Sequence, residues 1–178
     1  MYLYTYEAPL VKSSTKKCLI QDTQGKVIGS IQRYFKSPFH RLIDGLIGGN
    51  HLIVRMKAKS FEGEFVIDAY TEMAMIKKPN YYINFYENQM TDKKFKAIQT
   101  NHINIMPEFS IKNSEFELMA KESNINGLSF YEMGYEVARW NYKISQRNKA
   151  YIEISAEATL KNPLFYAVLG HLLYFIGY

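Results

Sequence analysis

Apolar and polar residues alternate with a period of two along most of the chain, which is the pattern of half-buried β-strands. In Val27–Tyr34, for example, Val27 and Ile31 fall on one face while Gln32 and Tyr34 fall on the other. The pattern predicts the following short strands: Leu3–Tyr6, Cys18–Gln21, Val27–Tyr34, His51–Ala58, Glu64–Tyr70, Tyr81–Tyr86, Phe95–Gln99, Ile103–Met106, Phe116–Lys121, Leu128–Glu132, Glu136–Ile144 and Tyr151–Ile154.

Turn residues separate these strands. Asp22-Thr23-Gln24-Gly25 predicts a hairpin, because Asp bonds its own backbone and Gly tolerates positive φ. A similar pattern around Glu132-Met133-Gly134 reflects either the general likeness of hairpins or a duplicated half-barrel. Ser37–Asp44 predicts a helical turn with Ser37 as N-cap. Consecutive strands have no helix-length segment between them, so we expect antiparallel pairing in a sandwich or a barrel.

The end of the chain breaks the alternation, since residues 162–178 contain no Asp, Glu, Lys or Arg. Asn162 is a suitable N-cap and Pro163 suits the first helical position. The helix would span roughly 22 Å, against about 30 Å for a bilayer core. An all-apolar helix needs protein or lipid around it, so three alternatives stand: a buried central helix, a short membrane-inserted tail, or a helix docked on a partner. His171 within it is expected to be a hydrogen-bonded core residue rather than a ligand or base.

An all-β chain of about twelve strands that ends in one hydrophobic helix resembles the tubby C-terminal-like superfamily, which includes the tubby proteins, the plant LURP-one-related proteins and the phospholipid scramblases. The matching features are the Asp22-x-x-Gly25-x-x-Ile28-Gly29 hairpin, the Glu132-x-Gly134 hairpin and the uncharged terminal helix. The chain is most similar to small stand-alone bacterial members. The resemblance implies a mainly β fold: a closed antiparallel barrel of about twelve strands around a central hydrophobic C-terminal α-helix.

Composition agrees with one globular domain. The chain has 178 residues, of which 47% are hydrophobic and 15% are aromatic. It contains one cysteine, so no internal disulfide forms, and its N-terminus lacks the pattern of a secretory signal. We expect a single domain over residues 1–178, with 163–178 as the central helix, in a cytoplasmic protein that is peripheral at the membrane.

An excess of basic residues, 22 against 17 acidic, gives a net charge of +5, which permits binding to phosphate or to an anionic membrane surface. Tubby proteins grip a phosphoinositide headgroup with basic residues on the outer surface of the barrel, and the resemblance carries this property over as a class. Arginine suits bidentate phosphate contacts. The candidate anion contacts flank the two similar hairpins and are Arg33, Lys36, Arg41, Arg139 and Lys143.

Motifs for other chemistry are missing from the sequence. It has no P-loop, no dinucleotide-binding glycine pattern, no H-E-x-x-H, no C-x-x-C and no G-x-S-x-G. Cys18 lies mid-strand and is expected to be a small core residue. In Arg139–Lys143 the alternation places aromatics inside and cations outside, so we expect no nucleic-acid binding. We also expect no metal, no cofactor and no catalytic residue.

These observations favour a non-enzymatic binding domain that recognises anionic phospholipid or a phosphorylated ligand at the inner membrane surface. One alternative is a structural or regulatory protein-interaction domain without a small ligand. Another is a short tail-anchored membrane protein.

Overall fold

The computed structural model describes residues 1–46, 54–71, 79–87, 91–101, 106–123, 127–146 and 148–175. Within these residues the chain forms twelve strands: β1 (Tyr2–Glu7), β2 (Cys18–Asp22), β3 (Val27–Arg33), β4 (Arg55–Ser60), β5 (Phe65–Thr71), β6 (Tyr81–Glu87), β7 (Thr91–Gln99), β8 (Glu108–Lys112), β9 (Glu117–Ser123), β10 (Gly127–Glu132), β11 (Tyr135–Lys143) and β12 (Lys149–Ile154). The helices are α1 (Pro38–Leu46), a 3₁₀ turn (Ile144–Gln146) and α2 (Pro163–Leu169), which continues as a π-helical segment (Gly170–Phe175).

The strands form a closed barrel in which each strand pairs with its neighbours in the sequence and β12 pairs with β1. Tyr2 lies opposite Ile154, and Glu7 lies opposite Lys149. All neighbours are antiparallel, so odd-numbered strands finish at one end of the barrel, which carries α1 and is called the α1 end. Even-numbered strands finish at the opposite end, called the hairpin end. Closure removes exposed sheet edges, and it confirms the predicted barrel.

One predicted strand is shifted. Residues 103–105 of the predicted strand Ile103–Met106 lie outside the described residues, and Met106 lies in a bend. The strand of this region is β8, in which Phe109 and Ile111 belong to the buried core. Pro107 separates the two segments and cannot donate to a strand ladder. The other predicted strands overlap observed ones, although residues 51–53 of the predicted His51–Ala58 also lie outside the described part.

The C-terminal helix runs through the lumen from the hairpin end towards the α1 end. Asn162 Oδ1 accepts the Leu164 N–H at 2.9 Å, as expected of the N-cap. Every side chain from Leu164 to Leu169 is buried. Inward aromatic residues surround the helix: Phe165 packs against Phe85 and Phe95, with ring centroids 5.9 and 5.2 Å apart. Of the three alternatives for this segment, the structure shows the buried central helix.

The helix differs from the prediction in its second half, which winds as a π-helix, and residues 176–178 lie outside the described part. A segment that is apolar on every side has no periodicity from which its winding could be recognised. Within the described chain, we find no helix that combines the length and the apolar character needed to span a membrane.

Two glycines let the helix and the wall approach each other. A Cβ at Gly170 would lie 2.3 Å from Cδ2 of Trp140, and that indole is fully buried. A Cβ at Gly29 would lie 2.9 Å from Cδ2 of Leu164 and 2.5 Å from the Lys59 carbonyl oxygen. The hairpin glycine Gly29 and the helical glycine Gly170 therefore both act at the contact between barrel and helix.

We predict that Gly170→Ala lowers the free energy of unfolding by about 1–3 kcal/mol, because the added methyl group overpacks the core against the indole of Trp140. In an ordinary helix the same change stabilises by about 1 kcal/mol, so the sign of the effect is diagnostic. Urea unfolding gives the measurement, and in a Trp140→Phe background the penalty should shrink. Stabilisation by Gly170→Ala would contradict the close approach.

Candidate functional site

Charge is segregated between the two ends of the barrel. The described connections at the α1 end carry five basic residues and one acidic residue: Lys12, Lys16, Lys17, Lys36 and Arg41 against Asp44. The described connections at the hairpin end carry two basic and four acidic residues: Lys26 and Lys161 against Glu62, Glu64, Glu115 and Glu157. A surface of one sign attracts ligands and membranes of the other sign, so the α1 end is the candidate anion-binding surface.

The helix α1 adds apolar side chains to this basic end. Ser37 Oγ accepts the His40 N–H, which confirms Ser37 as the predicted N-cap. Phe39 is 66% exposed and Leu42 is 59% exposed, and residues three apart share a helix face. In the neighbouring β1–β2 connection, Leu10 and Val11 are also exposed. Exposed apolar groups beside cations are typical of surfaces that meet an anionic membrane.

Three of the predicted anion contacts, Lys36, Arg41 and Lys143, are exposed at this end of the barrel. Lys36 and Arg41 flank the start of α1, and Lys143 is the last residue of β11. The Lys143 ammonium lies 5.3 Å from the centroid of the Tyr151 ring. These three cations therefore lie at the same end of the barrel.

Arg33, also predicted as an anion contact, is 3% exposed at the end of β3. Its Nη1 donates to the Lys12 carbonyl oxygen at 2.9 Å, and the guanidinium lies 4.9 Å from the centroid of the Phe35 ring. These contacts attach the β1–β2 connection to β3. A guanidinium with this burial holds the fold together at the rim rather than presenting itself to a ligand.

Arg139 lies on the barrel wall, midway along β11 and away from the cations of the α1 end. Its Nη2 lies 2.6 Å from Glu136 Oε1, and it is opposite Glu153 on β12. The neighbouring carboxylates offset its charge. The barrel does not bring Arg139 together with Lys36, Arg41 and Lys143.

Sequence reasoning missed the lysines nearest to the junction of the first and last strands, namely Lys16, Lys17 and Lys149. Lys149 follows Lys17 by about 130 positions along the chain. The three lysines nevertheless line one cavity, because β12 pairs with β1. The signal that could have found them was barrel closure itself, which brings the two ends of the strand sequence together.

A buried polar cluster fixes the helix to the wall near the α1 end. Trp140 Nε1 donates to Tyr6 Oη at 2.7 Å, and Tyr6 Oη lies 2.9 Å from His171 Nδ1. An indole nitrogen only donates, so the tyrosine hydroxyl accepts the bond from Trp140, and the same hydroxyl shares a second hydrogen bond with Nδ1. The imidazole is buried, and desolvation lowers the pKa of His171 to about 3. His171 is a hydrogen-bonded core residue, as expected.

Cys18 is 5% exposed, and burial raises the pKa of its thiol to about 11. The thiol is therefore protonated near neutral pH and is a poor nucleophile. Across the described ranges, no three His, Cys, Asp or Glu side chains are grouped as metal ligands would be.

We predict that His171 lowers the free energy of unfolding as the pH decreases below about 6.5. The unfolded chain binds a proton at His171 near its ordinary pKa, whereas the native state does not until about pH 3. Stability is therefore lost between these values, at about 1.4 kcal/mol per pH unit. His171→Asn keeps an acceptor for Tyr6 but removes the titration. Urea unfolding at several pH values should give a shallower slope for the variant, and equal slopes would contradict the prediction.

Comparison with known proteins agrees with this architecture. A family model, the Tubby C-terminal like domain, matches residues 4–176. No curated protein and no solved structure matches the chain. The match extends from β1 to the C-terminal helix, so it covers both the barrel and the helix inside it. The chain belongs to the tubby C-terminal-like family.

Proposed function

We propose that this tubby-like binding domain associates with anionic phospholipid membranes through the α1 end of its barrel. The observation that carries the proposal is the segregation of basic connections to that end, together with the exposed Phe39 and Leu42. Domains of this family are generally non-enzymatic and are associated with membrane and protein binding. A binding role without catalysis is therefore the proposed one.

Membrane affinity would arise as the sum of several weak electrostatic attractions. Each Lys or Arg near an anionic surface contributes about 1 kcal/mol, and the field decays within a Debye length of about 10 Å at 0.1 M salt. Lys36, Arg41 and Lys143 lie exposed at one end, so a membrane that faces this end would attract all three. Cations on the wall or at the hairpin end would lie farther from that membrane. The geometry therefore favours one orientation, with α1 towards the lipid.

Removal of two cations at the α1 end tests this orientation. We predict that Lys36→Gln with Arg41→Gln weakens binding to phosphatidylcholine vesicles containing phosphatidylserine by about 30-fold, the equivalent of two terms of about 1 kcal/mol. Cosedimentation at low salt gives the measurement. Lys26→Gln with Lys112→Gln is the matched control, with the same change of net charge at the hairpin end. Equal losses in both pairs would mean that net charge rather than the α1 end governs binding, and no retention of the native chain would refute the proposal.

The exposed apolar side chains give a second test that does not depend on charge. We predict that the double variant Phe39→Ala with Leu42→Ala binds vesicles more weakly than the native chain. The binding that the native chain retains at high salt should be lost, because apolar area no longer enters the membrane interface. Phe61→Ala is the control, since Phe61 is 69% exposed in the β4–β5 hairpin at the opposite end. Equal effects of the two changes would contradict a membrane-facing α1.

The alternative, a protein-interaction domain, is favoured by one separate feature. The β10–β11 hairpin exposes Met133 at 99% and Tyr135 at 78%, beside a cavity lined by Met119 and Tyr131. Exposed apolar patches mark interaction sites. Two results together would favour this alternative over the membrane function. Vesicles would not retain the chain, and the double variant Met133→Ser with Tyr135→Ser would lose a protein complex that the native chain forms in its host.

A further inference from the structure

An apolar groove lies on the outer wall of the barrel beside the β10–β11 hairpin. Met119 on β9 is opposite Tyr131 on β10. Both alternate with buried neighbours, so their side chains face away from the central helix. Together with Met133 at the hairpin tip, they line a cavity of about 760 Å³, which is within the size range of ligand sites. This cavity is called the groove.

The backbone at the tip of the hairpin is unfavourable for the residue that it carries. Met133 has a φ of 49° and Gly134 has a φ of 87°. A two-residue turn with positive φ at both positions is typically Asn-Gly, because other side chains are strained there. Met133 is also 99% exposed. Neither the turn nor the core requires a methionine at this position, so the side chain points to a contact with another molecule.

The border of the groove is acidic. Glu117 lines it, and the exposed Glu115 lies two residues earlier. Lys121 also lines the groove, but its ammonium is 3.3 Å from a carboxylate oxygen of Glu108. Lys112 is opposite Glu117 on β8. These three acidic and two basic residues leave a net negative charge beside the apolar lining. Such a surface complements a basic amphipathic helix.

The chain contains a helix of this kind at its opposite end. The helix α1 has nine residues, and a helix of this length is marginal unless it packs an apolar face against something. Phe39 and Leu42 share a face and are exposed, and the exposed cations Lys36 and Arg41 flank them. The α1 face therefore matches the groove in both apolar character and charge.

We propose that α1 of one copy docks into the groove of a second copy, so that copies associate head to tail. Phe39 and Leu42 would enter between Met119 and Met133, while the cations of α1 face the acidic border. The closed barrel has no free strand edge, so association has to use side chains of this kind. Opposite ends of one barrel cannot both engage the same partner, and the contact therefore propagates from copy to copy.

This association does not rest on the membrane function proposed above. The same face of α1 meets either lipid or a second copy, so the two contacts exclude each other at any one α1. A contact made by one short helix buries less than the roughly 1,600 Å² of a standard interface, so we expect a Kd on the order of 100 µM.

Sedimentation velocity of the full chain tests the association first, between about 10 µM and 1 mM, a range that brackets this Kd. We expect the weight-average sedimentation coefficient to rise with concentration beyond the value of a dimer, because the contact joins unlike faces. A rise that ends at the dimer would contradict the head-to-tail contact. A chain that stays monomeric throughout would overturn the proposal and leave the groove to a different basic helix.

The variant Met133→Asn removes the apolar contact without risk to the fold, because Asn is preferred in this turn. It should resist urea at least as well as the native chain, yet Kd for self-association should rise about 10–100-fold. Phe61→Ala is the control, since Phe61 is 69% exposed in another hairpin at the same end. An unchanged Kd in Met133→Asn, or an equal rise in Phe61→Ala, would contradict the assigned groove.

A mixture of two variants gives the sharpest test. Met133→Asn retains α1, whereas Phe39→Ala with Leu42→Ala retains the groove, and urea unfolding verifies that both are folded. At about 200 µM neither variant should associate alone, but the mixture should form a dimer that does not grow, because one intact contact remains. A mixture without dimer would overturn the proposal.

The membrane function is measured separately with the same variant. Met133→Asn should bind anionic vesicles as well as the native chain does, because its α1 is unchanged. Failure of vesicle binding in both chains would refute only the membrane function. Loss of vesicle binding in Met133→Asn alone would contradict the assignment of Met133 to a groove remote from α1.

Discussion

The width of a twelve-stranded barrel is the constraint on which the rest of this structure depends. Barrel diameter grows with strand number, and about eight strands already enclose as much space as side chains fill. The lumen here would therefore be a void without further chain, and the C-terminal helix occupies it. The helix in turn is apolar on every side and could not stand in water. Each part supplies the environment that the other requires.

This dependence explains the residues at the contact between helix and wall. Gly29 lies where the Lys59 backbone and Leu164 approach most closely, and Gly170 lies against the indole ring of Trp140. Neither position has room for a larger residue. Trp140, Tyr6 and His171 bond to one another, so a polar link joins β11, β1 and the helix inside an apolar interior. Buried polar groups are costly unless they are satisfied. The described side chains that face the helix are buried, so recognition is expected on the outside of the barrel and at its ends.

Much of this architecture could be predicted from the sequence because it rests on local patterns. Alternation located the strands, Asp22 and Ser37 marked a turn and a helix start, and the uncharged end identified the central helix. The strand at Glu108–Lys112 was displaced in the prediction because residues on both sides of Pro107 alternate. The π-helical winding of Gly170–Phe175 has no signature in an all-apolar segment.

The candidate site was predicted less well because charge in a sequence carries no information on burial. Arg33 looked like Lys36 and Arg41, yet it is inside the rim and bonded to a loop carbonyl oxygen. Arg139 pairs with Glu136, which the spacing alone does not predict, because residues three apart in a regular strand face opposite sides. The register shift between β10 and β11 brings the two side chains to one face. The pairing of β12 with β1 brings Lys149 to the cavity that Lys16 and Lys17 line, and this proximity has no local signal in the sequence.

The central claim is that the C-terminal helix belongs to the barrel interior in every state of the folded protein, with or without anionic lipid. Hydrogen exchange followed by mass spectrometry tests it most directly, on the free chain and on the chain with anionic vesicles. The account predicts that amides of Leu164–Phe175 exchange as slowly as those of β11 and β12 in both samples, since they open only with the whole barrel. Fast exchange of this helix in solution, with protection that appears only on vesicles, would contradict the account and show a helix that inserts into lipid.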